Sequence, residues 1–87
     1  MKTPKEIQQE LSARERSLRK KQKMTLQQLA DASGVSLGSV KRFESSGEIS
    51  LQSMIKIAIA LGCEDDFSAI FAKNIPMSIE EIINGEI

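Results

Sequence analysis

The sequence predicts an all-α fold of five or six short helices. Apolar residues recur at the i, i+3, i+4 spacing of a helix face in successive windows, and Ser, Thr, Gly or Pro residues suited to helix ends flank those windows. At 87 residues the chain has room for one domain with a modest core. We expect that domain over residues 1–74 and a short tail, with a docked helix, over residues 75–87.

The first helix is predicted to begin at Thr3. Thr3 is a good N-cap, Pro4 lies in the first turn where its missing N–H costs nothing, and Glu6 completes a capping box. A narrow stripe at the spacing i, i+4, i+7, i+11 is expected to face the domain. Its members are Ile7, Leu11, Arg14 and Leu18.

The next two helices are predicted to form a helix-turn-helix. Thr25 caps the second helix, and Gly34 supplies the left-handed conformation that a sharp turn needs. Ser36 then caps a third helix, in which Val40 and Phe43 point inward. Units of this kind place their second helix in the DNA major groove, so we call the third helix of the chain the reading helix.

The fourth helix is predicted over Leu51–Leu61, between a Ser50 cap and a terminal Gly62. Ile57 and Ile59 spread its apolar surface around most of the helix, as is typical of a central or an interface helix. The inward stripe is expected to comprise Leu51, Met54, Ile55, Ala58 and Leu61.

Two further helices are predicted near the C-terminus. The fifth runs from the acidic residues 64–66 to about Asn74, and a short sixth begins at Ser78. The sixth has limited stability of its own and must dock on its own domain or on a partner. The apolar side of the fifth helix comprises Phe67, Ile70 and Phe71, and that of the sixth comprises Ile79, Ile82 and Ile83.

The composition argues against an enzyme, a metal centre and a membrane protein. The chain has no His and one cysteine, Cys63, so the usual nucleophilic and transition-metal sites cannot be assembled, and we expect no cofactor. Cys63 is expected to be a small, part-buried side chain. No apolar run approaches the roughly 18 to 20 residues of a membrane span, and the first residues lack a signal peptide's apolar stretch. We therefore expect a cytoplasmic protein.

The formal net charge of zero conceals two halves of opposite sign. Up to Phe43 there are ten basic and four acidic residues, whereas from Glu44 onward there are two basic and eight acidic residues. A basic half that contains the reading helix suits a polyanion, and an acidic half suits a subunit or a basic protein. The alternative is that both halves are ordinary solvated surfaces.

A run of residues at fixed spacing resembles the Cro/CI-type (XRE) helix-turn-helix family over roughly residues 14 to 63. The residues that carry the resemblance are Leu29, Ala30, Gly34, Val35, Ser36, Val40, Glu44, Leu51, Ile55, Ala58, Leu61 and Gly62. The resemblance implies a lambda-repressor-like fold and a transcriptional regulator that binds a double-stranded DNA operator. The alternative is a helical hairpin that only packs or binds protein.

The resemblance also implies roles for individual side chains. Arg19 is expected to pair with Glu44, although two separately solvated charges are the alternative. The family usually has polar base-reading residues where this chain has Leu37 and Gly38, so the neighbouring residues are expected to contact the bases. Arg42 is the first choice for a contact with guanine. The alternative is that Arg42 binds a phosphate without base specificity. The base-contact candidates are Ser36, Leu37, Ser39, Lys41 and Arg42, and the phosphate candidates are Lys20, Lys21, Lys23 and Thr25.

Members of this family commonly dimerise near the fifth helix, so a homodimer on a palindromic operator is expected. The alternative for the aromatic pair on that helix is completion of the monomer core, and the alternative for Ile59 is an isolated exposed residue. The dimer candidates are Ile59, Phe67, Ile70 and Phe71.

The segment GVSLGSVKRFESSGEISLQSMIKIAIALGCEDDFSAIF, with the tail IPMSIEEII, resembles small HipB-like regulators. That resemblance implies an autorepressor that is also the antitoxin of a HipA-like kinase toxin. A plain repressor is one alternative. Another is a protein-binding inhibitor or adaptor that works through its acidic half and has slight DNA affinity.

Overall fold

A computed structural model describes residues 1–72 of the chain. This part is all-helical, with no strand among the described residues, and fits a small lambda-repressor-like fold, as predicted. The predicted sixth helix lies outside the described residues. The helices are α1 (Pro4–Lys21), α2 (Leu26–Ser33), α3 (Leu37–Ser46), α4 (Leu51–Leu61) and α5 (Asp65–Ser68).

Local hydrogen bonds fix the start of each of the first four helices. The Oγ1 atom of Thr25 accepts from the Gln28 N–H at 3.0 Å, and the Gln28 Oε1 accepts from the Thr25 N–H at 2.8 Å. Thr3 forms the same capping box at the start of α1. Ser36 and Ser50 accept from the N–H three residues on, in α3 and α4. The predicted caps of α1 to α4 are therefore confirmed.

The core lies where α2, α3 and α4 meet. Leu29, Val40 and Phe43 are its most deeply buried large side chains. The helix α3 packs against both α1 and α2, while α2 also packs against α4. The remaining buried apolar residues are Ala30, Val35, Ile57, Ala58 and Leu61. Because Val40 and Phe43 anchor one face of α3 in this core, the opposite face of the helix is held toward solvent.

The turn after α3 depends on a glycine. Gly47 has a left-handed φ of +81° and packs against α1, where a Cβ atom would lie 2.9 Å from the Gln8 Cβ and 3.0 Å from the Gln8 backbone. The Gln8 side chain donates to the Gly47 carbonyl at 3.4 Å. Only glycine meets both requirements without a backbone shift.

The predicted inward stripe of α1 is wrong in part. Ile7 is 46% exposed and Arg14 is exposed, whereas Leu11 and Leu18 are half-buried. The buried residues of α1 are instead Ser12, Glu15 and Arg19. The helix is rotated because Arg19 turns inward to pair with Glu44 of α3, which brings Glu15, one turn earlier, to the same side.

The predicted stripe of α4 is wrong in part, since Ala58 and Leu61 are buried as expected. Leu51 is 66% exposed, and Met54 and Ile55 are half-buried. Ile57, which the stripe omitted, is 2% exposed and belongs to the core. Ile57 lies one turn before Leu61, so these two buried side chains share a face of α4.

The fifth helix is shorter than predicted. It ends at Ser68 rather than near Asn74, and the following amides of Ala69, Ile70 and Ala72 bond three residues back at 3.3 Å. Such bonds tighten the chain into turns in place of an α-helix. Phe71 then takes a φ of +66°, which ends helical geometry. The expected single apolar side of a long fifth helix therefore does not form.

Candidate nucleic-acid interface

The outer face of α3 presents basic and small polar side chains. Lys41, Arg42 and Ser36 are exposed, while Leu37 and Ser39 are half-buried. Leu37 packs on the edge of the core, so it is less available to a ligand than its neighbours. The face is thus positioned by the buried Val40 and Phe43 behind it.

The two serines at the start of α3 bond to each other. Ser36 accepts from the Ser39 N–H at 3.1 Å, and its hydroxyl donates to the Ser39 Oγ at 2.9 Å. Ser36 is therefore fully engaged as the helix cap. The Ser39 hydroxyl keeps its own proton to donate to a base or a phosphate.

Arg42 is held by an ion pair that sequence reasoning missed. Its Nε and a terminal nitrogen donate to the Glu48 Oε2 at 3.2 and 3.1 Å, with both side chains largely exposed. Glu48 lies beyond the Gly47 turn, so no helical spacing connects it with Arg42. The turn glycine and the acidic residue after it were the only available signals.

A basic corner forms where α1 ends and α2 begins. Lys20, Lys21 and Lys23 are all exposed. Lys23 has a left-handed φ of +60°, its N–H donates to the Lys20 carbonyl, and the Met24 N–H donates to the Arg19 carbonyl at 3.1 Å. This is a Schellman-type helix end with lysine in place of the usual glycine.

Thr25 lies at the N-terminus of α2, beside that corner. It is exposed, and its hydroxyl oxygen accepts the cap bond, which leaves the hydroxyl proton free to donate. The first N–H groups of a helix have no partner within it and carry partial positive charge. An anion at this end of α2 is therefore favoured by both the backbone and the lysines.

Arg19 and Glu44 form the ion pair that was predicted for them. The Arg19 Nε and a terminal nitrogen donate to the two carboxylate oxygens of Glu44 at 2.7 and 2.8 Å, and both residues are buried. The other terminal nitrogen of Arg19 donates to the Met24 carbonyl at 2.8 Å. One guanidinium thus connects α1, the reading helix and the start of α2, which fixes the basic corner relative to α3.

Glu15 completes a buried carboxylate pair. It is 8% exposed, and neither carboxylate oxygen has a hydrogen-bond partner of good geometry. Burial, followed by the nearby Glu44 carboxylate, raises the pKa of Glu15 to about 8. Burial also opposes ionisation of Glu44, but the hydrogen bonds from Arg19 and the positive charges of Arg19 and Arg16 outweigh it and hold the pKa of Glu44 below its ordinary value. At neutral pH the pair therefore holds one proton, on Glu15.

A model of the helix-turn-helix family matches residues 16–67, more than half of the chain. The chain belongs to the helix-turn-helix family. The match runs from the second half of α1 into α5 and therefore includes the reading helix, the basic corner and the Arg19–Glu44 pair. Searches of curated proteins and of solved structures return no match.

Membership of the helix-turn-helix family indicates a DNA-binding transcriptional regulator of the XRE type and does not indicate an enzyme. Within residues 1–72, no helix has the length and apolar character needed to cross a membrane.

The dimer candidates of this helix-turn-helix protein lie on the side formed by α4 and the segment after it. Ile59, Ile70 and Phe71 are 57%, 49% and 80% exposed. Phe67 is half-buried instead. Because Phe71 lies beyond the end of α5, it does not share a helix face with Phe67.

Proposed function

We propose that this helix-turn-helix regulator is a homodimeric repressor that occupies a palindromic operator, including one in its own promoter. The observation that carries the proposal is the exposed, basic outer face of α3, held by a buried core behind it and joined rigidly to the basic corner by Arg19. Two such helices related by two-fold symmetry would contact half-sites about 34 to 36 Å apart.

The proposed base contacts come from α3. Arg42 offers the fork of donors that pairs with O6 and N7 of guanine, and it reaches the base by leaving Glu48. Lys41 is exposed on the same helix. The Ser39 hydroxyl is free to donate to a base. Ser36 and Leu37 are expected to contribute less to base contacts, because Ser36 caps the helix and Leu37 packs on the core.

The proposed phosphate contacts come from the basic corner and the N-terminus of α2. Lys20, Lys21 and Lys23 supply charge, and Thr25 supplies a hydroxyl donor beside free backbone N–H groups. These contacts position the reading helix and carry no sequence information. They should make binding strongly dependent on salt.

The proposed homodimer buries the apolar side chains exposed beyond α3. Ile59, Ile70 and Phe71 are large and exposed, which favours burial against a second copy. Sedimentation at micromolar concentration tests this contact. A monomer after Ile59→Glu, with helical content retained, supports it, and a monomeric unmodified chain contradicts it.

The experiment that tests the proposed function is binding to the DNA upstream of the protein's own reading frame, at two salt concentrations. Selective binding that weakens steeply with salt supports a repressor, and equal binding to all sequences contradicts it. Arg42→Ala should lose on the order of 1 to 3 kcal/mol and relax specificity at one base pair, whereas a uniform loss assigns it to phosphate. Lys56→Ala, which removes one exposed positive charge from α4, is the matched control.

We further propose that the regulator is the antitoxin of a HipA-like kinase toxin, which the sequence resemblance and the acidic half support. Coexpression with the product of an adjacent kinase-like gene tests it. A stable complex that abolishes toxicity supports the antitoxin role. If the two proteins do not form a complex, the antitoxin role is contradicted and the protein is a repressor only. If DNA binding fails while the complex forms, the protein is a protein-binding inhibitor or adaptor.

A further inference from the structure

An open apolar groove of about 470 Å³ lies between α1, α4 and the segment around α5. Leu51 and Ile70 on its edges are 66% and 49% exposed, so the groove is accessible. Such a volume lies in the range of sites that hold a small ligand or several side chains. The apolar residues that define it here are Leu11, Leu18, Leu51, Met54, Ile57 and Ile70.

The wall of the apolar groove contains a buried polar group without a partner. Glu15 lines the groove, and both of its carboxyl oxygens lack hydrogen bonds among the described residues. An unpaired buried carboxyl is costly, so an occupant that brings a hydrogen-bonding group is favoured over a purely apolar one. A polypeptide segment brings backbone N–H and C=O groups together with apolar side chains.

The chain itself supplies such a segment at the groove. Phe67 and Ile70 line the groove, and the described residues end at Ala72. Residues 73–87 follow directly, and extended they reach up to about 50 Å, so no linker is needed to reach any part of the groove. Their apolar residues are Ile75, Met77, Ile79, Ile82, Ile83 and Ile87.

One charged residue of the groove wall, Arg14, is opposite in charge to the segment, whereas Asp66 on the same wall has the same sign as the segment. Residues 73–87 contain one lysine and three glutamates, two of them at the adjacent positions Glu80 and Glu81. Arg14 lines the groove and is exposed. Attraction between Arg14 and these glutamates would set the direction of the segment, while burial of the isoleucines would supply most of the affinity.

We propose that residues 73–87 occupy the apolar groove of their own chain, with the isoleucines at 79, 82 and 83 in the groove and the adjacent glutamates toward Arg14. The groove then cannot serve as the contact between subunits. The tail would then cover Ile70, so of the three exposed side chains proposed above for the subunit contact, Ile59 and Phe71 remain. This proposal does not rest on DNA binding.

Cys63, which lines the groove and is the only cysteine of the chain, provides a test. In the full chain, Ile82→Cys should form an intramolecular disulfide with Cys63 under copper–phenanthroline oxidation at least fivefold faster than Glu81→Cys, the matched control. Burial raises the pKa of the Cys63 thiol, so the oxidation is run at alkaline pH. Mass spectrometry and non-reducing electrophoresis measure the product, and Cys63→Ser should abolish it.

Equal rates for the two variants would mean simple tethering and would overturn the proposal, as would the absence of the disulfide. Disulfide-linked dimers in place of monomers would also overturn it, because the occupant would then be the tail of a second copy. An independent measurement uses an apolar fluorescent dye. The full chain with Ile82→Ser and Ile83→Ser should bind at least threefold more dye than the chain with Glu80→Ser and Glu81→Ser, at unchanged helical circular dichroism, and equal dye binding would overturn the proposal.

Discussion

Arg19 and Glu44 face each other as a bidentate pair inside the contact between α1 and α3, with donor–acceptor distances of 2.7 and 2.8 Å. Water is largely excluded, since each side chain is 9% exposed. A buried pair adds little net stability relative to well-packed apolar residues, but its geometry is strongly specified. Here it joins the helix that is proposed to read DNA to the helix end that is proposed to hold phosphate.

Removing one partner of this pair should be costly. Arg19→Met leaves the buried Glu44 carboxylate with only the longer, 3.7 Å pair to the more exposed Arg16, and we expect a loss of about 3 kcal/mol in the free energy of unfolding. Urea denaturation followed by circular dichroism measures it. The exposed Lys2–Glu10 pair supplies the control: Lys2→Met should leave the midpoint nearly unchanged. Equal losses of unfolding free energy for Arg19→Met and Lys2→Met would show that the buried pair contributes no more to stability than an exposed pair.

Features that depend on neighbouring residues were predicted well from the sequence. The capping boxes at Thr3 and Thr25 and the glycine ends of α2 and α4 require only short-range spacing. The Arg19–Glu44 pair was predicted through the family resemblance, because its partners are 25 residues apart and no local rule joins them.

Features set by packing between helices were not predicted. Apolar spacing placed Ile7 inward on α1, but α1 turns Arg19 inward because Glu44 lies opposite, and Glu15, one turn before Arg19, lies on the same face. Likewise, apolar residues at helical spacing extended α5 past Ser68, although the backbone there takes tighter turns. At the candidate interface, the Arg42–Glu48 pair depends on the geometry of the Gly47 turn, which spacing alone does not supply.

Glu15 should make stability fall as pH rises. Its pKa is about 8 in the folded chain and 4.5 is the ordinary value, so between these values the folded state holds a proton that the unfolded state has lost. The stabilisation that this proton provides is fully present below pH 4.5 and is lost progressively as pH rises to 8. Over this range the free energy of unfolding falls by at most about 1.4 kcal/mol per pH unit. Glu15→Gln, which mimics the protonated form, should flatten the profile in that window.

The measurement is urea denaturation of both chains at several pH values across the window. Glu10→Gln is the control on the same helix, because a hydrogen bond from Lys2 lowers the pKa of Glu10 and its contribution is lost only as pH falls below the ordinary value. Parallel profiles for Glu15→Gln and the unmodified chain would contradict the assignment of the shared proton.

Gly47→Ala should be more destabilising than Gly34→Ala. Both positions have left-handed φ values, of +81° and +75°, so both substitutions carry a conformational cost of about 1 kcal/mol. At Gly34 a Cβ meets nothing within 4 Å, whereas at Gly47 it meets the Gln8 backbone at 3.0 Å. We expect an additional loss of about 1 to 3 kcal/mol at Gly47, measured by thermal or urea unfolding. Equal losses of stability for Gly47→Ala and Gly34→Ala would show that α1 shifts away from the added Cβ atom at little cost.

Glu48→Gln should strengthen DNA binding. Arg42 must leave Glu48 before it can reach a base, and Glu48 also places a negative charge beside the proposed DNA-binding face. Because this pair is exposed, releasing Arg42 should raise operator affinity by only about two- to fivefold. Fluorescence anisotropy with labelled operator DNA at constant salt measures the change.

A double-mutant cycle separates the ion pair from simple charge. If Glu48 acts by restraining Arg42, Glu48→Gln should gain much less affinity in an Arg42→Ala background than in the unmodified chain. If it acts only by repelling phosphates, the gain should be the same in both backgrounds, and the ion pair would then have no part in DNA binding. Glu64→Gln, which removes an exposed acidic residue beyond α4, controls for the change in net charge. If the gain in affinity is specific to Glu48→Gln and disappears in the Arg42→Ala background, Glu48 and DNA compete for the Arg42 side chain.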